Sequence, residues 1–183
     1  MQVEPLSIPD VKLITPRRFQ DDRGFFSETW SARVWEDAGL EANFVQDNHA
    51  YSVATGVVRG LHFQLQPAAQ GKLVRVTRGA ILDVAVDIRR GSPTFGRHVS
   101  AVLSADNWAQ LWVPEGFAHG YVTLEPETEV VYKVTNLYAP ALDRGIRWDD
   151  PALGIDWGIS SDAAILSEKD CKLPTLADAP DLF

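Results

Sequence analysis

The sequence predicts an all-β protein, a sandwich or closed barrel of short strands, and three observations carry that prediction. From Phe44 to Asn136, apolar, β-branched and aromatic residues recur in short runs with period-two alternation. Turn chemistry separates the runs, at Arg90-Gly-Ser-Pro93, Ser104-Ala-Asp-Asn107, Pro114-Glu-Gly116 and Glu125-Pro-Glu127. Only one stretch before residue 160 reads as a helix. Many short strands with turns between them bury their apolar faces against each other as two sheets or a barrel.

The elements follow in order. Ser7–Leu13, bounded by Pro5 and Pro16, alternates roughly and is expected as an edge strand. Asp22–Gly24 is a turn, followed by an aromatic strand through Trp30. Ser31 is an N-cap candidate for a short helix over Ala32–Ala38, with Gly39 as its stop. Strands are then expected at Phe44–Asp47, Ala50–Ser52, Val57–Gln64, Leu73–Arg78, Ala80–Asp87, Arg97–Leu103, Ala109–Val113, Gly120–Thr123 and Glu129–Asn136. Gln66–Gly71 joins two of them. Beyond Asp149 the chain is turn-rich, with short helical turns expected at Ser161–Ala164 and around Leu166–Asp170, and an extended tail from Lys172.

Without repeats or linkers, the 183 residues read as one domain spanning 1–183. No run is long enough to span a membrane, and no basic-then-apolar leader opens the chain, so the expected location is cytoplasmic. A net charge of −8 argues against non-specific binding to nucleic acid or to an anionic membrane. It leaves room for a small anion held by arginines inside a cleft. The single cysteine, Cys171, allows neither an internal disulfide nor a cysteine metal cluster.

Chemistry gathers around Val58-Arg-Gly-Leu-His-Phe-Gln64 and the strand beginning Gly71-Lys72. Lys72 shares a face with Val74 and Val76, and Tyr132 shares one with Val130 and Val134. If those faces are interior, an ammonium and a phenol point into one cavity, and a buried ammonium needs an acid, an anion or a developing negative charge beside it. His62 supplies a base. Together these suit removal of a proton from carbon next to a carbonyl, with Lys72 steadying the enolate oxygen and Tyr132 returning a proton on the opposite face. Arg59 and His62 are three apart, so a regular strand would aim them to opposite faces; a bulge at Gly60 is expected if both reach the ligand.

The Pro114-Glu-Gly-Phe-Ala-His119 segment is similar to one half of the cupin signature, the jelly roll or double-stranded β-helix. The other half is a His-x-His pair followed by a glutamate. Here it reads Gly60-Leu-His62-Phe63-Gln64, which leaves two histidines where a mononuclear centre usually takes three or four N/O ligands. A metal-free cupin is therefore expected, rather than a metal dioxygenase.

At these residues the chain closely resembles the dTDP-4-dehydrorhamnose 3,5-epimerase family, from Asp22-Arg-Gly-Phe-Phe-Ser-Glu28 to Leu166-Ser-Glu-Lys-Asp170. The most specific segments are Gln46-Asp47-Asn48, Arg59–His62, Gly71-Lys72, Pro114–His119 and Tyr132–Asn136. The resemblance implies a cofactor-independent isomerase of dTDP-L-rhamnose biosynthesis, in a cupin-type β-sandwich with a few short helices. It implies His62 as the base, oriented by Asp170, with Tyr132 as the acid and Lys72 as the oxyanion stabiliser. Arg23, Phe26, Glu28, Gln46, Asp47, Asn48, Arg59, Lys72, His119, Asp143 and Lys169 match positions that hold the dTDP-sugar, with Phe26 against the thymine. The resemblance also implies a homodimer in which Arg23–Glu28 of one copy completes the other's site. A relative epimerising only C3 or C5, and a non-catalytic sugar-nucleotide binder, stay open as alternatives.

Overall fold

The computed structural model describes residues 1–183. Thirteen strands run in chain order: β1 Gln2–Pro5, β2 Lys12–Thr15, β3 Arg18–Asp21, β4 Gly24–Ser27, β5 Gln46–Ser52, β6 Val58–Gln64, β7 Lys72–Arg78, β8 Ala80–Asp87, β9 His98–Ser104, β10 Gln110–Val113, β11 Phe117–Thr123, β12 Thr128–Val134 and β13 Asp143–Gly145. One helix, α1, covers Ala32–Asp37, and single 3-10 turns lie at Pro140–Leu142, Ser161–Ala163 and Asp170–Lys172.

Two antiparallel sheets face each other, in the cupin arrangement. One has the order β1-β2-β10-β7-β12-β5, the other β13-β6-β11-β8-β9, while β3 and β4 form a separate hairpin. Consecutive strands repeatedly change sheet, so β6 pairs with β11 and β7 with β10 and β12. Gln66–Gly71 accordingly carries the chain from one sheet to the other.

Period-two alternation sorts the residues into three apolar layers. Between the sheets lie Val74, Val76, Ile81, Ala85, Leu111, Phe117, Tyr121 and Val130. The far side of the five-stranded sheet carries Leu61, Phe63, Val84, Val86, Ala118 and Val122, covered by C-terminal Trp148, Leu153 and Trp157. The far side of the six-stranded sheet is covered by Trp35 of α1 and by Leu40, packed on Leu73 and Trp112. Burying large side chains of this kind contributes about 1.5–3 kcal/mol each, so both outer layers hold their sheets firmly.

Several boundaries differ from the sequence reading. Of the segment Ser7–Leu13 only Lys12 and Leu13 are strand, at the start of β2; before them Leu6 N–H donates to the Val11 carbonyl, and Val11 N–H to that of Ile8, in a turn between β1 and β2. Its apolar residues, Ile8 and Val11, plug the end of the sandwich, which is what imitates alternation. The two expected strands around Asn48 and His49 are one, β5, because β12 pairs with it from Ser52 to Gln46 without a break. Phe117–His119 belong to β11, so the Pro114 turn ends at Gly116. Ser31 starts α1 through its backbone carbonyl, accepting from Trp35 N–H at 3.0 Å, and its hydroxyl caps nothing.

Candidate active site

The strand β6 carries the bulge. His62 pairs with His119, and Arg59 with Tyr121, so three steps along β6 match two along β11. Gly60 absorbs the extra residue at φ +116°, where a Cβ would fall 2.6 Å from both Gly120 Cα and the His119 carbonyl oxygen. The bulge turns Arg59 and His62 onto one cavity of about 420 Å³ between the sheets, lined also by Lys72, His119, Tyr121, Tyr132, Lys169 and Asp170.

The opposite wall comes from β7 and β12. Tyr132 pairs with Val74, and Lys72 with Val134, so the two polar side chains are diagonal neighbours on the inner face. Lys72 is 8% exposed, and its Nζ donates to the His62 carbonyl oxygen at 3.2 Å, across the gap between sheets. Burial lowers its pKa from 10.5 to about 8, against the opposing fields of Asp83 and Asp143. Burial raises the Tyr132 phenol, which the Arg59 cation partly offsets.

The His62 Nε2 donates to Asp170 Oδ1 at 2.6 Å, which leaves Nδ1 as the basic nitrogen. Asp170 is buried, and burial pushes its pKa up, yet the His62 bond and charge more than reverse this, holding it below the usual carboxylate range. The 3-10 turn at Asp170–Lys172 packs on β6, bringing together residues 108 positions apart. A second histidine–aspartate pair lies deeper, His119 Nε2 to Asp83 Oδ1, also at 2.6 Å.

A further cavity of about 350 Å³ shares His62, Lys72, Tyr132 and Lys169 with the first and adds Gln46, Asn48, Gln64, Tyr138 and Asp143. Gln46 donates to Asn48 Oδ1 at 2.8 Å. Asp143 accepts from the Tyr138 hydroxyl at 3.1 Å and is ion-paired with Lys169. The joined space is a cleft with acid–base groups at one part and a polar lobe at the other.

Of the expected site residues, His62, Tyr132, Lys72, Asp170, Arg59, His119, Lys169, Gln46, Asn48 and Asp143 line this cleft. Asp47 does not. Alternation along β5 sends it to the opposite face, where it pairs with Lys133 at 2.8 Å. Arg23, Phe26 and Glu28 lie outside their own chain's cleft: Arg23 pairs with Asp21 on the hairpin, and Phe26 is 69% exposed. Asp83, Tyr121, Tyr138 and Gln64 are among the lining or buried polar residues that escaped the sequence reading. Asp83 and Tyr121 carry a signal, since alternation puts Asp83 on the face of Ile81 and Ala85, and Tyr121 on that of His119. Tyr138 sits in a loop, where no periodicity points it anywhere.

No group of three or more histidine, cysteine or acidic side chains stands close enough to hold a metal ion, and both cleft histidines turn Nε2 to a carboxylate. The donor set fits acid–base chemistry better than a metal centre. A cupin sandwich with an oriented imidazole, a phenol on the facing sheet and a buried ammonium between them defines a protein built for proton transfer at carbon. The family model described as dTDP-4-dehydrorhamnose 3,5-epimerase matches residues 5–178. A Sinorhizobium fredii protein named dTDP-4-dehydrorhamnose 3,5-epimerase is 54% identical over 183 residues, covering 100% of this chain and 93% of its own. The crystal structure of the enzyme of that name from Bacillus anthracis, with TDP and PPi bound, superposes with a TM-score of 0.92 at 50% identity, covering 95% of this chain and 98% of that one. A Legionella pneumophila dTDP-6-deoxy-D-glucose-3,5-epimerase, in complex with dTDP-4-keto-L-rhamnose, gives 0.92 at 43% identity over 97% of this chain and 93% of its own. The chain belongs to the dTDP-4-dehydrorhamnose 3,5-epimerase family.

Proposed function

We propose that this chain epimerises C3 and C5 of dTDP-4-dehydro-6-deoxy-D-glucose, giving dTDP-4-dehydro-L-rhamnose, a step of dTDP-L-rhamnose biosynthesis. The observation that carries the reading is that His62 and Tyr132 project from facing sheets into one cleft, with the Lys72 ammonium buried beside both. His62 Nδ1 removes the proton from C3, the electron pair moves into the C4 carbonyl, and Lys72 donates to the resulting oxyanion. Such a donor in a dry site lowers the barrier by about 3 kcal/mol. Tyr132 gives its proton to the opposite face of C3 as the enolate collapses to the ketone; the imidazolium then loses its proton to solvent and the phenolate regains one, and the same carbonyl acidifies C5 for a second cycle. His62, Lys72, Tyr132 and Asp170 need no cofactor for these steps.

Arg59, His119, Asp143 and Lys169, with Gln46 and Asn48, suit the sugar and the diphosphate, where guanidinium and ammonium groups match anionic oxygens. The exposed ring of Tyr138 suits a planar base beside them. A homodimer fits the remaining residues: the β3–β4 hairpin presents exposed Phe19, Phe25 and Phe26, with Arg23 and Glu28 exposed and outside the lining of their own cleft. In that reading one copy's hairpin completes its partner's site. The whole chain acts as one domain. No helix is long and apolar enough to cross a membrane, and a cytoplasmic location suits a charged nucleotide substrate.

Turnover in deuterated water tests the proposal. Deuterium at both C3 and C5, with the L-configured product, is the expected result. Exchange at one carbon converts the reading to a mono-epimerase, and binding without exchange to a sugar-nucleotide binder.

A further inference from the structure

Asp83 stands on the inner face of β8, fully buried, with no role in the proton transfers above. Its register partner on β11 is Tyr121, and the next inner residue of that strand, His119, donates Nε2–H to Asp83 Oδ1. The other oxygen, Oδ2, is buried and accepts no hydrogen bond from any protein group. A carboxylate oxygen left unpaired in a dry interior is costly unless a positive charge lies in its field.

Lys72 is that charge. Its ammonium reaches one carbonyl and no carboxylate. Two acids act on it, Asp83 and Asp143, and they differ in one respect. Asp143 is already ion-paired with Lys169 and accepts from Tyr138, so the Lys169 cation opposes its field at Lys72. Asp83 is bonded to one imidazole N–H and keeps an oxygen free. The remaining charged or titratable groups lining the cavity with Lys72 are His62 and Arg59 on β6, Tyr132 on β12, His119 and Tyr121 on β11, and Asp170 in the 3-10 turn after Lys169. Asp170, the one further carboxylate, is bonded to His62 Nε2, and among the acids only Asp83 and Asp143 act on Lys72.

We propose that Asp83 is a positioning residue that holds Lys72 in its cationic form at neutral pH, acting through the cleft without touching the sugar. The proposal rests on the reading of Lys72 as the oxyanion stabiliser. An ammonium that lost its proton would leave the enolate oxygen without its donor, so the carboxylate sets the upper pH limit of the reaction.

The test follows the protonation of Lys72 directly, through the pH dependence of its acylation by acetic anhydride in the full-length protein, read by peptide mass spectrometry, alongside the pH profile of kcat. In the wild type both are expected to show a midpoint near 8. Asp83→Asn keeps the shape and the His119 bond but not the charge, and both midpoints are expected to fall by about one pH unit. Asp83→Ser is a second charge-free variant should the amide disturb folding, and Asp83→Glu is expected to restore the midpoint towards the wild-type value. Unmoved midpoints in the folded charge-free variants would overturn the proposal. Lys72→Met at wild-type turnover would instead sink the oxyanion reading, whatever the acylation midpoint does.

Discussion

The two histidine–aspartate pairs share one bond and differ in everything around it. His62–Asp170 and His119–Asp83 are both Nε2–Oδ1 contacts of 2.6 Å, and the histidines themselves are register partners on adjacent strands. Yet the His62 side chain is 29% exposed and takes its aspartate from a distant turn, whereas His119 is 7% exposed and takes its aspartate from the next strand. The first pair is the more open to a substrate proton; the second lies deeper in the same cleft, where it suits binding and orienting the sugar. A histidine–aspartate dyad is therefore not a base by composition. Access decides which one does chemistry.

The sharpest way to break that contrast is to remove each imidazole in turn. His62→Asn is expected to lower exchange of substrate hydrogen by at least about a thousandfold, since no other group in the cleft replaces the base. His119→Asn is expected to weaken kcat/KM about tenfold through substrate binding while leaving exchange at both carbons detectable. Equal losses in deuterium incorporation, measured at saturating substrate, would erase the distinction between the pairs.

A second measurement sharpens the cost of the buried charge between them. The folded-state pKa of Lys72, about 8, lies below its unfolded value of 10.5, which amounts to about 3 kcal/mol of destabilisation at neutral pH. The unfolded chain binds the extra proton between those two values, so stability should rise as pH climbs from about 8 towards 10.5. Lys72→Met is expected to melt several degrees higher than wild type at pH 7, with the gap closing at high pH. A variant that melts no higher at pH 7 would show that the cleft solvates this ammonium better than its burial implies.

The smallest effect is expected on the far face of β5. Asp47→Ala breaks a surface ion pair with Lys133, a contact of less than about 1 kcal/mol, and should leave kcat/KM within about twofold. Gln46→Ala and Asn48→Ala, one residue to either side but facing the cleft, should raise KM severalfold more. A large loss for Asp47→Ala would mean that alternation along β5 does not govern the site.

Much of the architecture is legible in the chain's periodicity. Alternation along β7 and β12 groups Lys72 with Val74 and Val76, and Tyr132 with Val130 and Val134, and both of those faces are interior. The bulge at Gly60 was legible only with the family resemblance, which puts both Arg59 and His62 at the ligand, since two residues three apart cannot share a face of a regular strand. Boundaries failed where polar residues sit in strands, as at Asn48 and His49, or where a plug of apolar residues imitates one, as at Ile8 and Val11. Tyr138 and the aspect of Asp47 escaped for opposite reasons. A loop has no period to read, and a contiguous motif says nothing about which of its residues turn away.

Local sequence settles which side of a strand a residue occupies, because the pleat alternates regardless of what lies across it. It therefore accounts for the β-sandwich, the buried lysine and phenol, and the shortage of metal ligands. Whether Asp170 meets His62, whether Asp83 keeps an oxygen free, and which of two similar dyads is the more exposed in the cleft depend on loops and strands far apart in the chain. Those contacts exist only after the two sheets have closed on each other, since burial and distance are properties of the packed molecule and not of any segment of it.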